Sequence, residues 1–153
     1  MPPLPPTADL ADHLGFWLRQ VSNQVSRAFA ARLAAREVTV AEWVLLRLLY
    51  GAAPTAPSRL ADAMGMTRGA ITKLADRLLD KGLLLRAASR QDGRAQTLAL
   101  TAAGEGLVPL LAAEADANDA AFFDHLSAGE RRTLERLLRR TAERRRITAL
   151  PVD

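Results

Sequence analysis

A run of hydroxyl and cationic residues between positions 67 and 77 has side chains of the types that can hydrogen-bond nucleic acid. Its candidate contacts are Thr67, Arg68, Thr72, Lys73 and Arg77. Arginine and lysine donate to guanine acceptors and to phosphates, and threonine hydrogen-bonds either. If this run is a helix whose buried face is centred on Ile71, Thr72 and Lys73 fall on the opposite face. The pattern therefore predicts a recognition helix, against the alternative of an ordinary amphipathic helix with a polar face.

A second basic segment follows between two short apolar runs. Asp92-Gly93 favours a tight turn, from which Arg90 and Arg94 would project. Arginine enters the narrow, electronegative minor groove of DNA, and Asp92 lies close enough to orient the Arg94 guanidinium. The alternative is a surface hairpin that happens to carry two arginines.

The elements that would position these residues form a helix-turn-helix followed by a hairpin. Pro57 and Ser58 begin a short helix to about Met64, and we count Ser58 among the DNA contacts. Gly65 lies where the turn needs a positive φ, and small Ala61 lets the two helices approach. The second helix begins after Thr67 and ends near Lys81, with Gly82 as its cap. Strands are predicted at residues 83–87 and 95–100.

Longer helices flank this segment. An amphipathic stripe predicts one helix from Thr7 or Ala8 to about Ala35. A capping box at Thr39 opens a second helix, to about Tyr50. Thr101 caps a helix of about two dozen residues in which Pro109 favours a kink, and Ser127 opens the last helix with another capping box.

Composition and charge narrow the class of protein. Leucine and alanine dominate the apolar residues, which favours a mainly helical fold with a small β-wing. Segment 57–101 has eight basic and four acidic residues, whereas segment 102–126 has five acidic and none basic. That distribution indicates a nucleic-acid surface confined to the middle of the chain.

Several functional classes are disfavoured. There is no cysteine, and His13 and His125 have no partner spacing, so we expect no metal site and no cofactor. The N-terminus does not resemble a signal peptide, and no apolar run approaches a membrane span. We expect a soluble, cytoplasmic protein without membrane contact. No catalytic arrangement is recognisable, so we predict that it is not an enzyme.

The helix-turn-helix and hairpin together resemble the multiple-antibiotic-resistance regulator (MarR) family, over about residues 35–145. The matching residues are 67–78, Lys81-Gly82-Leu83-Leu84, Arg86, Asp92-Gly93-Arg94 and Leu98-Ala99-Leu100-Thr101. The resemblance implies a winged-helix homodimer that binds pseudo-palindromic double-stranded DNA, usually as a repressor released by a small ligand. It also implies that Arg94 is the minor-groove arginine and Asp92 its positioning partner. Leu85 stands where an acidic residue is common in the family, which would alter the wing's salt bridges.

By that resemblance the chain divides into three parts. Residues 1–36 form an arm and dimerisation helix, residues 37–101 the DNA-binding lobe, and residues 102–153 the C-terminal dimerisation helices, all within one intertwined domain. The apolar residues predicted at the dimer interface are Leu10, Leu14, Trp17, Phe122, Leu134, Leu137 and Leu138. The residues that could line an effector pocket, with an aromatic acid as the ligand considered, are His13, Trp17, Arg19 and Trp43.

The main alternative function is a winged-helix module that binds protein instead of specific DNA. An acidic or apolar recognition face would favour it. The face here carries Arg68, Thr72 and Lys73, which favours DNA.

Overall fold

The computed structural model describes residues 1–89, 93 and 95–153. The helices are α1 (Leu14–Ala34), α2 (Val40–Leu49), α3 (Pro57–Met64), α4 (Arg68–Asp80), α5 (Ala102–Phe123) and α6 (Ala128–Arg144), and the strands are β1 (Leu84–Ala88) and β2 (Gln96–Leu100). This order confirms the predicted mainly helical fold with a small β-wing.

The first helix begins later than predicted. Leu10–Asp12 form a separate 3-10 turn, and His13 is extended (φ −97°, ψ 127°) before α1 starts at Leu14. The Asp12 carboxylate accepts from the backbone N–H of Asp9 at 2.9 Å. Such side-chain bonds to nearby backbone compete with continuous helix, so the amphipathic stripe does not extend the helix to Ala8.

Left-handed residues end five of the described helices, one of them Gly51 (φ 74°) after α2. Gly65 (φ 63°) and Gly82 (φ 71°) do so after α3 and α4, as the sequence predicted. Glu37 (φ 59°) and Arg146 (φ 54°) do so after α1 and α6 without the freedom of glycine. After α6, Arg146 N donates to the Glu143 carbonyl and Ile147 N to the Ala142 carbonyl, which closes the helix and turns the last residues back.

The core lies where α2, α3 and α4 meet the end of α1, the wing and the first half of α5. Its buried residues are Leu33, Val38, Leu45, Leu46, Leu49, Leu60, Ala61, Met64, Ile71, Leu74, Ala75, Leu78, Leu84, Leu98, Val108 and Leu111. Ala61 and Ile71 are both buried between α3 and α4, as predicted for the helix-turn-helix. The core therefore fixes the angle of α4 against the rest of the lobe.

The wing is an antiparallel pair in which Leu84 faces Leu100 and Ala88 faces Gln96. Thr55 forms an isolated antiparallel bridge to β2: its N–H donates to the Leu98 carbonyl at 2.9 Å, and its carbonyl accepts from the Leu98 N–H at 2.8 Å. The bridge ties the wing to the segment that leads into α3.

The fifth helix is continuous through Pro109, and its N-terminus lies against the chain before β1. A Cβ on Gly104 would meet the Leu83 carbonyl oxygen, so only glycine permits this approach. Thr101 caps the helix, as predicted, by accepting from Gly104 N at 3.1 Å. Among the described residues, no helix has the length and apolarity that crossing a membrane requires.

Candidate nucleic-acid interface

The fourth helix presents the predicted polar face. Thr67 caps it, accepting from Ala70 N at 3.1 Å. The four buried residues of α4 lie on one side, whereas the exposed ones are Arg68, Gly69, Thr72, Lys73, Asp76, Arg77 and, as the last residue of the helix, Asp80. The predicted contacts on this helix therefore share one solvent-facing surface, which we call the α4 face.

Two hydroxyls of this region already make hydrogen bonds within the protein. Thr67 Oγ1 is held by capping, and Thr72 Oγ1 donates to the Arg68 carbonyl at 2.9 Å. A hydroxyl oxygen keeps further acceptor capacity after donating. Thr72 is thus oriented as an acceptor, and Thr67 keeps its proton to donate.

The acidic residue of the α4 face is paired by the wing. Arg86 Nη2 donates to Asp76 Oδ1 at 2.6 Å, and both side chains are substantially exposed. This pair joins α4 to β1 and offsets the charge of the carboxylate that lies between Lys73 and Arg77 on the helix. The two residues are ten positions apart, and their pairing was not predicted from the sequence. Leu85 was expected to alter the salt bridges of the wing, but the bond between Arg86 and Asp76 is present next to it.

The cations of the α4 face are unpaired within the part of the chain that the structure describes. No salt bridge there involves Arg68, Lys73 or Arg77. Ser58 is half-buried in the first turn of α3, and the neighbouring Arg59 is exposed. Arg59 was not singled out from the sequence, although its position beside Ser58 was the available signal. Helix starts and exposed arginines both suit phosphate contacts.

A buried ion pair holds the lobe behind this face. Glu42 is 2% exposed, and its carboxylate accepts from Thr39 N at 3.1 Å and from Lys81 Nζ at 2.8 Å. Burial raises the pKa of Glu42, but the hydrogen bonds from Lys81 and Thr39 outweigh burial, so the pKa lies below its ordinary value. Lys81 Nζ also donates to the Glu37 carbonyl at 2.6 Å. The end of α4 is thereby fixed to the loop between α1 and α2.

The tip of the wing lies partly outside the described residues. Arg90, Asp92 and Arg94 are among those not described, so their predicted roles at the minor groove remain predictions. Strands β1 and β2 lead into this segment, and Arg86 of β1 is bonded to Asp76 of α4.

A cavity of about 300 Å³ lies between the helical arm and the lobe. Its walls are Val25, Ser26 and Phe29 of α1, Val40, Trp43 and Val44 of α2, Ala115, Asn118 and Asp119 of α5, and Leu150, Pro151 and Asp153 of the C-terminal tail. Of the residues predicted for an effector pocket, Trp43 lines it and His13, Trp17 and Arg19 do not. Trp17 Nε1 instead donates to the Ala11 carbonyl at 2.8 Å.

The residues predicted for a dimer interface are apolar and mostly exposed in the single chain. Leu10, Leu14 and Trp17 are 75%, 85% and 50% exposed, and Leu134, Leu137 and Leu138 are 39–45% exposed, whereas Phe122 is half-buried. No residue of α6 is buried. Two long helices therefore offer apolar surface that the chain itself does not cover.

The fold and the α4 face together define a winged helix-turn-helix DNA-binding protein. The profile of the MarR family matches residues 38–95. A proposed transcriptional regulatory protein for the hcr operon of Thauera aromatica is 33% identical over 132 residues, which cover 86% of this chain and 80% of that protein. The chain belongs to the MarR family and is a DNA-binding transcriptional regulator.

Solved structures agree with this assignment. A variant of E. coli MarR in complex with operator DNA has a TM-score of 0.72 and 26% identity, covering 84% of this chain and 92% of that chain. CouR from Rhodococcus jostii RHA1 bound to p-coumaroyl-CoA has a TM-score of 0.77 and 25% identity, covering 95% and 99%.

Proposed function

We propose that this regulator is a homodimeric repressor that binds a pseudo-palindromic operator and leaves it when a small aromatic or phenolic ligand binds. The observation that carries the proposal is the α4 face. Its cations are unpaired within the described residues, and Asp76, the exposed carboxylate in the middle of the helix, is paired with Arg86, whereas Asp80 lies at the C-terminal end of the helix. A helix with its N-terminus capped and its cations free is suited to reading a major groove.

Within this proposal each part of the chain has a separate task. Residues 37–101 contact DNA, with Thr67, Arg68, Thr72 and Lys73 toward the bases. Residues 1–36 and 102–153 join two copies, so that two recognition helices lie about 34 Å apart, one turn of DNA. The complex works in the cytoplasm, where the DNA is, and no catalytic step is assigned to it.

The ligand site in this proposal is the cavity lined by Trp43. It lies between α1 and α5, which would form the dimer arms, and α2, which belongs to the DNA-binding lobe. The complex of CouR with p-coumaroyl-CoA supports a small-molecule response in a protein of this fold. A ligand that changes the cavity would change the spacing of the two lobes and thus the affinity for DNA.

The test is binding to DNA from the region upstream of the protein's own gene, measured by fluorescence anisotropy at several salt concentrations. We expect affinity to fall steeply with salt, because each phosphate contact releases counterions. Arg77→Ala should weaken binding and reduce the slope of log K against log salt by about one, because Arg77 lies beside the residues placed toward the bases and suits a phosphate contact. The matched control is Arg131→Ala, which changes an exposed arginine on α6 and should leave the affinity and the salt slope unchanged.

Arg94→Ala tests the wing separately. It should lose affinity while the protein stays folded and dimeric. Equal affinity of the wild type for operator and shuffled DNA would refute the assignment of a specific regulator.

A further inference from the structure

The Trp43 cavity has apolar walls and the size of a small ring compound. Phe29 and Trp43 contribute aromatic rings from α1 and α2, and both pack against the core. A volume of about 300 Å³ is at the small end of ligand sites in proteins. The cavity therefore suits a planar molecule of one or two rings.

The ionisable side chains in the described lining are both acidic. Asp119 lies on α5 and Asp153 is the last residue of the tail. No lysine, arginine or histidine lines the cavity among the described residues. Arg32 of α1 and Arg36, which follows that helix, are already paired with Glu114 of α5, at 3.7 and 3.4 Å. A ligand carboxylate would meet like charge here without a compensating cation.

A buried acceptor without a partner adds a second preference. Asn118 is 3% exposed, and its Nδ2 donates to the Val25 carbonyl at 3.2 Å. That bond fixes the orientation of the amide, because the Val25 carbonyl requires a donor. Asn118 Oδ1 is buried and meets no donor among the described residues. An unpaired buried acceptor is unfavourable, and a ligand N–H or O–H that reaches it removes that cost.

We propose that this cavity binds a small planar aromatic ligand that is neutral or cationic and donates a hydrogen bond, and that it rejects the corresponding carboxylate. This inference rests on the proposed function, because it names the chemical class of the effector. Phe29 and Trp43 hold the ring, Asn118 Oδ1 accepts from the ligand's donor, and Asp119 with Asp153 favours positive over negative charge. The carboxylate of an aromatic acid, the ligand considered from the sequence, is an anion and an acceptor. It therefore matches neither the acidic lining nor the unpaired acceptor of Asn118.

The test uses three compounds of one shape: 4-hydroxybenzylamine, 4-hydroxybenzamide and 4-hydroxybenzoate. Each is titrated into the full-length protein at neutral pH while the indole N–H signal of Trp43 is followed by NMR, assigned by comparison with Trp17→Phe. We expect the amine and the amide to bind at least about tenfold more tightly than the benzoate. The proposal would be overturned if the benzoate bound more tightly than the other two, or if none of the three compounds shifted the indole N–H signal of Trp43.

Two variants separate the polar features, and a third is the control. Asp119→Asn should reduce the preference for amine over benzoate, since it removes one of the two carboxylates. Asn118→Leu should weaken the amide by about tenfold, because the acceptor is lost. Asp116→Asn changes an exposed acid on the same helix that does not line the cavity, and should alter neither result. If Asp116→Asn changes the amine preference or the amide affinity as much as the two test variants do, the ligand does not bind in the cavity described.

Operator binding is measured on the same samples without ligand. Intact specific binding to DNA together with a failed ligand series would overturn this inference alone. Loss of specific DNA binding in the wild type would instead overturn the proposed function.

Discussion

Glu42 links local capping to tertiary structure through a single buried carboxylate. One of its oxygens completes the capping box with Thr39, and the other accepts from Lys81. We expect Lys81→Met to lower the free energy of unfolding by about 1–3 kcal/mol, because it leaves the buried carboxylate without its cation. Urea denaturation measures this. Lys73→Met is the control, since Lys73 is exposed and forms no ion pair with the described residues, and it should change stability by less than about 0.5 kcal/mol.

The same carboxylate predicts a dependence of stability on pH. The pKa of Glu42 is lower in the folded protein than its ordinary value of 4.5. Its contribution to stability is therefore present above that value and is lost as pH falls below it. Between about pH 6 and pH 3.5, the wild type should lose more unfolding free energy than Glu42→Gln, as measured by urea denaturation at each pH. Equal losses would show that Glu42 contributes nothing through its charge.

Two glycines of α5 give a matched pair. A Cβ at position 104 would meet the Leu83 carbonyl oxygen, whereas one at Gly106 would meet nothing within 4 Å. We expect Gly104→Ala to destabilise by about 1–3 kcal/mol through overpacking against backbone. Gly106→Ala should stabilise by about 0.5–1 kcal/mol, because alanine favours helix. Thermal unfolding of both variants measures the difference, and changes of the same sign would contradict the packing described.

At the scale of elements, the C-terminal tail is packed onto the lobe rather than free. Val152 packs against the core, and a Cβ on Gly65 would lie 3.6 Å from the Cβ of Ala149. Val152→Ala should therefore lower unfolding free energy by about 1 kcal/mol. Ile147, at 61% exposure in the same tail, is the control, and Ile147→Ala should change it by less than about 0.5 kcal/mol. A tail without a role in packing would make the two variants alike.

The elements also show what could be predicted from the sequence. Helix starts at Thr39, Thr67, Thr101 and Ser127 were predictable, because capping acts within three or four residues. The polar face of α4 was also predictable from local sequence, since helical periodicity alone separates it from the buried face.

Features that depend on contacts far apart in sequence were not predictable. Lys81 and Glu42 are 39 residues apart, and Thr55 pairs with Leu98 across the wing. Glu37 and Arg146 end helices with a positive φ that their residue types do not favour. The lining of the cavity was not predictable either, because Asn118 and the tail reach it only through the packing of α1, α2 and α5. His13, Trp17 and Arg19 have side chains suited to a ligand site, but residue type does not indicate how the helices pack.

At the scale of the whole molecule, α1 and α6 present apolar surfaces that the chain itself does not cover. Isolated exposed leucines are ordinary, but repeated ones along two long helices indicate an interface. Leu137 and Leu138 are 41% and 45% exposed on α6, which has no buried residue. The chain's own acidic and basic segments also complement each other, since residues 102–126 are acidic and residues 127–153 are mostly basic. We therefore expect a second copy to cover this surface.

Placing charge on that surface tests the dimer and its link to DNA binding. The double variant Leu137→Glu, Leu138→Glu should be monomeric by light scattering, because two buried carboxylates without partners oppose association. Its operator affinity should fall by about 100-fold or more, since two half-sites are no longer bound together. Leu85→Glu, an equally exposed leucine on the wing, should remain dimeric and separates loss of dimer from added charge. A double variant that stays dimeric would place the interface elsewhere, and a monomer that keeps full operator affinity would mean that one lobe suffices for recognition.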